Sequence, residues 1–137
     1  VDLGLSVKWA SCNVGAHSSE SYGSYYTWSE TNNIEWSDNW RMPTASEMRE
    51  LRDNCDWRWT NVNGIYGYRV TGKNGNSIFL PASGFKLNNR TFDEGSYGYY
   101  WSSGSGSQAN YLEFNSYDYD INGSEPTYGC TVRPVRP

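Results

Sequence analysis

"ANYLEFNSYDYDINGSEPTYGC", Ala109 to Cys130, is the stretch on which the reading of this 137-residue chain turns. It sets four tyrosines among Asn, Asp, Ser and Gly. A purely structural core strand would carry Val, Ile and Leu, and an unfolded tail would not hold so many rings. A period of two runs through it. Leu112 and Phe114 fall on one face, while Tyr111, Glu113 and Asn115 fall on the other. Beyond a turn near Asn115 and Ser116, Tyr117, Tyr119 and Ile121 alternate with Asp118 and Asp120. The "NGSEPTYG" that follows is a loop, with Gly towards both ends and Pro126 inside it. The stretch predicts two short antiparallel strands and a loop, fixed by a few apolar side chains, with the remaining side chains outward.

Those outward residues have a use. Tyr offers a large, rigid, amphipathic surface for the loss of two torsions, and Ser, Asn and Gly offer adaptable hydrogen bonding, which is why antibody paratopes favour them. From Gly104 to Cys130, 17 of 27 residues are Tyr, Ser, Gly, Asn or Asp, so the region reads as a binding surface. A plain exposed sheet with polar loops is the blander reading of the same composition.

The rest of the chain looks like one loop-rich domain of short strands. Aromatic residues number 23 against 17 Val, Ile and Leu, so rings must supply much of the buried area. "VDLGLSVKW" predicts an opening strand in which Leu3, Leu5 and Val7 alternate. "RMPTASEMRELRDNC" holds the one clear helix, about 45–54. Thr44 and Glu47 form a capping box, Pro43 blocks extension backwards, and Met48 and Leu51 make the apolar stripe. Asn63-Gly64 and Asn74-Gly75 are tight-turn signals, the second joining "YGYRVTG" to "NSIFLP" as a hairpin. "GYYWSS" is a further strand, and "TVRPVRP" is a strand that Pro134 confines to an edge or chain end. The first residue is Val1 rather than Met, which reads as a trimmed or mature fragment.

Charge narrows the partner. Residues 1–90 balance nine acids against nine bases, whereas residues 91–132 carry six acids and no Lys or Arg. Nucleic acid needs clustered cations and is excluded as partner. No apolar run is long enough for a membrane helix, so no direct membrane insertion is expected. Cys12, Cys55 and Cys130 fit no metal spacing. A Cys12–Cys55 disulfide and buried free thiols both remain open. His17, the single histidine, reads as a solvated loop side chain.

Several segments, taken in order, carry a resemblance that covers nearly the whole chain. "VDLGLSVKWASCNVGA", "YGSYYTWSE", "WRMPTASEMRELRDNCDWRWT", "VTGKNGNSIFLPASG", "GYYWSS" and "VRPV" resemble the C-type-lectin-fold variable proteins of diversity-generating retroelements from gut bacteria and their phages. The most specific parts are W-R-[ML]-P-T-x-x-E and Y-W-S-S…V-R-P-V. A related group of undiversified bacterial surface domains shares this framework. The resemblance implies an α+β C-type lectin fold in which 1–103 and 131–137 are framework and 104–130 are variable. "YGSYYTWSE" is a weak helix pattern, so the usual first helix is expected to be short or absent.

In such systems adenine mutagenesis of Asn codons reaches Asn, Tyr, Asp, Ser, Gly, Thr, Ala, Ile and Cys. It does not reach Lys, Trp, Met, Gln or Glu. Gln108, Glu113 and Glu125 therefore depart from the pattern or are fixed in the template. Carried over, Trp40, Arg41, Trp101, Ser102, Val132, Arg133 and Pro134 belong to the framework. The ligand surface comprises Tyr111, Glu113, Tyr117, Tyr119, Asn122, Ser124, Thr127, Tyr128 and Cys130, with Ser105, Ser107 and Asn110 beside them. The implied protein is a non-enzymatic receptor or adhesin at the bacterial cell surface or on a phage particle. It binds without cofactor or metal, and a protein ligand is favoured over a glycan.

Three rivals stand against this. "EPT", Glu125 to Thr127, resembles the Glu-Pro-Asn motif of calcium-dependent sugar lectins, but Thr replaces Asn and no Trp-Asn-Asp follows. Sulfatase-activating oxidases share the fold and the helix motif, but their chemistry needs a cysteine pair, and only Cys130 lies in the late loops. Asp118 and Asp120, two apart on one strand face, sit in an outward setting that argues against tuned carboxylates. The third rival is an undiversified surface module whose late stretch merely covers the sheet.

Overall fold

The helix forms where its cap predicts. In a computed structural model describing residues 1–103, 109–123 and 125–137, α1 spans Ala45–Asn54. The Thr44 side chain accepts from Glu47 N–H, and the Glu47 carboxylate accepts from Thr44 N–H, so both members of the capping box are present. Arg41 clamps that carboxylate with two hydrogen bonds of 2.8 and 2.7 Å, which holds it below the usual carboxylate range. Ala45, Met48 and Leu51 are the buried face.

Four small antiparallel sheets accompany the helix among the described residues. β1 (Lys8–Trp9) pairs with β10 (Val135–Arg136), near the two ends of the chain. β2 (Asp56–Val62), β3 (Ile65–Thr71) and β4 (Ser77–Pro81) form a meander. β5 (Phe85–Leu87) and β6 (Arg90–Phe92) form a small hairpin. β7 (Gly98–Ser102), β8 (Asn110–Phe114) and β9 (Tyr119–Gly123) form the sheet built from the late stretch. Asn63 and Gly64, with φ of 52° and 86°, make the two-residue turn between β2 and β3 and fix that register. The segment Tyr22–Glu30 is not an α-helix; a five-residue 3₁₀ turn, Ser29–Asn33, begins at its last two residues.

The opening strand is a correction. Leu3 and Val7 are buried as their alternation predicts, but only Lys8 and Trp9 are extended and paired. Gly4 sits at φ 78° and breaks the run. Asn74 and Asn76, in the β3–β4 connection, both donate to the Asp2 carbonyl and hold the bent segment down.

Two aromatic-rich clusters flank the β7–β8–β9 sheet. On one side Tyr100, Leu112 and Phe114 pack with Met48 and Leu51 of α1 and with Tyr68, Val70, Ile78 and Leu80 of the meander. On the other, Tyr99, Trp101 and Tyr111 pack with Cys130 and Val132 under Trp28, Ile34, Met42, Phe85 and Tyr128. Gly98 is required where the first cluster is tightest, because a Cβ there would run into the Phe114 ring.

A buried polar network joins the segments. Arg133 is fully buried, and its fork donates to Asn13 Oδ1 (2.8 Å), the Ala10 carbonyl (3.2 Å) and the Phe79 carbonyl (2.6 Å). Asn13 Nδ2 donates to Tyr100 Oη at 3.1 Å, and Tyr100 donates to the Pro81 carbonyl at 2.7 Å. Truncating the guanidinium strands three buried acceptors at about 1–3 kcal/mol each. Arg133→Met is therefore expected to lower unfolding free energy by roughly 3–5 kcal/mol in urea titration. Arg133→Lys should recover little of that loss, since an ammonium lacks the fork.

Candidate functional site

The register of the late sheet decides where its side chains go. Gly98, Phe114 and Tyr119 are cross-strand partners, as are Tyr100, Leu112 and Ile121, and these rows face the helix side. Trp101, Tyr111 and Asn122 form a row on the opposite face, and Tyr99, Glu113 and Asp120 form another. That opposite face is covered over β7 and the adjoining part of β8, and it opens to solvent towards β9. On it Asn122 and Asp120 are exposed and Glu113 is half-buried, while Asn110, half-buried, shares the helix-side face with Leu112.

Two of the expected ligand residues are core residues instead. Tyr111 is 6% exposed, set edge-on to Tyr99 (5.5 Å) and Trp101 (5.4 Å), and burial pushes its phenol up to about 12. Cys130 is 0% exposed, and its backbone exchanges two 2.9 Å hydrogen bonds with Tyr26. The second face of the sheet is roofed by segments from residues 26–42 and from Phe85, so alternation does not bring these side chains to solvent.

Tyr119 is a third correction. Its ring stacks on Trp57 at 4.3 Å and 5°, and meets Tyr68 edge-on at 5.4 Å, so it is part of the packing. Tyr117, two residues earlier, is 94% exposed in the β8–β9 turn. Asn115 builds that turn by accepting from the N–H groups of Tyr117 (2.8 Å) and Asp118 (3.0 Å) through one side-chain oxygen.

The expected residues within the sheet thus fall at its opposite ends. β7 runs towards residue 103, β8 runs back to the 115–118 turn, and β9 returns towards residue 124. Asn110 and Asn122 therefore belong to one end, and Tyr117 to the other, while Thr127 and Tyr128 precede the Gly129–Thr131 segment, which bonds Lys86 and then runs beside β7. A five-residue strand separates the two ends by roughly 14–17 Å. Ser105, Ser107 and Ser124 lie outside the described residues. Thr127 is exposed, and Tyr128 is half-buried against Phe85 (4.1 Å, 12°), which itself stacks on Phe92 (5.3 Å).

The framework residues do what their positions ask. Trp101, Ser102, Val132 and Arg133 are buried, and Trp101 Nε1 donates to the Tyr26 carbonyl. Trp40 lies under the Arg136 guanidinium at 4.5 Å.

Surface residues outside the late stretch were missed by the composition argument. At the Tyr117 end, Trp59, Tyr66 and Tyr97 line a cavity of about 340 Å³ with Ser96, Asn115 and Tyr117. Beside the β5–β6 hairpin, Tyr25, Lys86, Asn88 and Asn89 line a second cavity of about 290 Å³ with Thr127. The signal for the first was available: the two-residue Asn-Gly turn sets Trp59 opposite Tyr68 and Asn61 opposite Tyr66, gathering the rings on one face.

Asp118 is exposed and accepts from Tyr119 N–H, and Asp120 is tied to Arg52 at 2.6 Å, so the two do not converge. His17 is exposed. The three cysteines are free thiols; burial pushes Cys130 well above the ordinary thiol range and raises Cys55 as well. Among the described residues no three His, Cys, Asp or Glu side chains gather as metal ligands, and no helix is long and apolar enough to cross a membrane. No family model, curated protein or solved structure matches the chain.

Three outcomes follow. Tyr117→Ala should change the melting temperature by no more than a surface substitution does, within about 0.5 kcal/mol. Tyr119→Ala should lose on the order of 2–3 kcal/mol of buried ring contact, measured by thermal melting of the two single variants. Iodoacetamide labelling followed by peptide mass mapping should modify Cys12 and Cys55 before unfolding and Cys130 only after it.

Proposed function

We propose that the chain is a non-enzymatic, C-type-lectin-like ligand-binding domain of the retroelement-diversified kind, displayed at a bacterial surface or on a phage particle. Its ligand face comprises Asn110, Asn122, Thr127 and Tyr128 of the late stretch. Binding there rests on shape, ring contact and hydrogen bonds. A protein ligand is favoured over a glycan, and neither cofactor nor metal takes part.

One observation carries the reading. Within a single short stretch, Leu112 and Phe114 are locked into the core while Asn122, Glu125 and Thr127 stand in solvent. Side chains of the second group can change without touching the first. The single helix, the small antiparallel sheets and the long connections agree with the C-type lectin architecture that the sequence resembles.

The burial of Tyr111 and Cys130 favours a second reading, an undiversified surface-adhesion module with the same framework. Core positions cannot absorb the scatter of Asn-codon mutagenesis without loss of stability.

The DNA flanking the coding region separates the two. Diversification requires a near-repeat of codons 104–130 that differs from the gene only at template adenines, with a reverse transcriptase gene beside it. In that repeat the codons for Leu112 and Phe114 should lack mutable adenines, and those for Asn122 and Thr127 should contain them. A locus without such a repeat overturns the diversified reading. A binding screen against surface proteins of neighbouring bacteria, with Asn122→Ala/Thr127→Ala as control, then tests the face itself. Loss of capture at an unchanged melting temperature is the expected result.

A further inference from the structure

The cavity at the Tyr117 end lies a strand's length from Asn110 and Asn122. Its floor and walls are rings from three separate segments. Trp59 and Tyr66 come from β2 and β3 and lie near-parallel, 6.2 Å apart at 11°. Tyr97 comes from the segment leading into β7 and stacks on Tyr99 at 6.1 Å. Tyr117 stands on the β8–β9 turn, and Tyr66 is 49% exposed beside it.

This end is preorganised. Trp59 is held on its inner side by edge-on contacts with Tyr68 (5.2 Å, 77°) and Phe114 (6.4 Å, 73°), so the ring that faces the cavity is anchored in the core. The 115–118 turn is closed by the Asn115 side-chain oxygen and by Asn115 N–H donating to the Asp118 carbonyl at 2.9 Å. With its oxygen engaged there, the Asn115 side-chain NH₂ has no partner among the described residues and is free to donate. A fixed turn that presents a Tyr almost wholly to water leaves an apolar face uncovered, and exposed aromatic patches of this kind mark interaction sites.

The lining selects the occupant. Its side chains are aromatic rings, hydroxyls and one amide, and none carries a charge. An ionic ligand would lose its hydration with no counter-charge to replace it. The volume of about 340 Å³ falls in the small-ligand range rather than that of a broad protein interface. A pyranose ring combines a flat C–H face with a rim of hydroxyl groups. The first matches an exposed aromatic ring, and the second matches the amide of Asn115 and the hydroxyls of Ser96 and the tyrosines.

We propose that the Trp59–Tyr66–Tyr97–Tyr117 cavity is a second binding site, for a neutral oligosaccharide held by ring stacking and hydrogen bonds without calcium. It involves none of the side chains assigned to the ligand face above, so either site can fail without the other. Occupied together, the two sites would tether the domain to a surface polysaccharide while the ligand face engages a protein.

Titration calorimetry of the full chain against cellotetraose, laminaritetraose, xylotetraose and chitotetraose, in EDTA, tests this. At least one tetrasaccharide should bind, and Tyr117→Ala and Tyr66→Ala should each weaken it by about tenfold. Their melting temperatures should stay near that of the parent, and Asn122→Ala/Thr127→Ala should leave sugar binding unchanged. Should Tyr66→Ala prove unstable, Tyr117→Ala alone carries the test, since that ring makes none of the core contacts described above. No heat with any of the four at millimolar concentration overturns the proposal. So does binding that is indifferent to the Tyr117 ring, or binding that appears only when calcium is restored.

Discussion

A fully buried guanidinium held by neutral oxygens organises this protein. Arg133 is held by the Asn13 amide oxygen and by two carbonyls, one from the N-terminal segment and one from β4. Neutral acceptors in the right directions replace its hydration, and a charge that cannot be shed makes their positions obligatory. The consequence reaches beyond the residue. Asn13 also bonds Tyr100, and Tyr100 bonds Pro81, so the N-terminal segment, the meander, the late sheet and the C-terminal segment are tied at one point. In a chain with few long elements, this network supplies the long-range specification that helices and wide sheets supply elsewhere.

Around that point the late sheet is sandwiched. One face meets α1 and the meander through Leu112 and Phe114, and the other is roofed by Trp28, Ile34, Phe85 and Tyr128. Burial on both faces is the reason that aromatic residues dominate the composition. Neighbouring rings are wide enough to fill the thin layers on either side, and edge-on pairs such as Tyr68–Phe114 and Tyr99–Tyr111 let them do so without leaving voids. Polar tips then find nearby partners, as when Tyr68 donates to the Asn115 carbonyl and Trp101 to Tyr26.

Local chemistry was readable from the chain; coverage was not. Thr44 and Glu47 announce the helix start because a capping box needs only four consecutive residues. Asn63-Gly64 announces a hairpin and its register because both positions take positive φ. The period of two from Tyr111 to Phe114 says which side chains share a face, and it does so correctly. It says nothing about whether the second face is wet. Most of the roof over Tyr111 comes from residues tens of positions upstream, Trp28, Ile34, Met42 and Phe85, with no mark in the alternation itself. The same blindness applies to Tyr119, whose stacking partner Trp57 lies in a different sheet. Gly4 explains the lost opening strand, since one left-handed residue ends an extended run whatever the hydrophobic alternation predicts.

The antiparallel return of β8 and β9 has a consequence for how the surface tolerates change. Residues close in sequence, such as Tyr117 and Asn122, belong to opposite ends of the β8–β9 pair, about a strand's length apart. Energetic effects of substitutions at positions so separated add with little cross-term. Alterations at Asn122 and at the 115–118 turn can therefore accumulate in any order, with neither constraining the other.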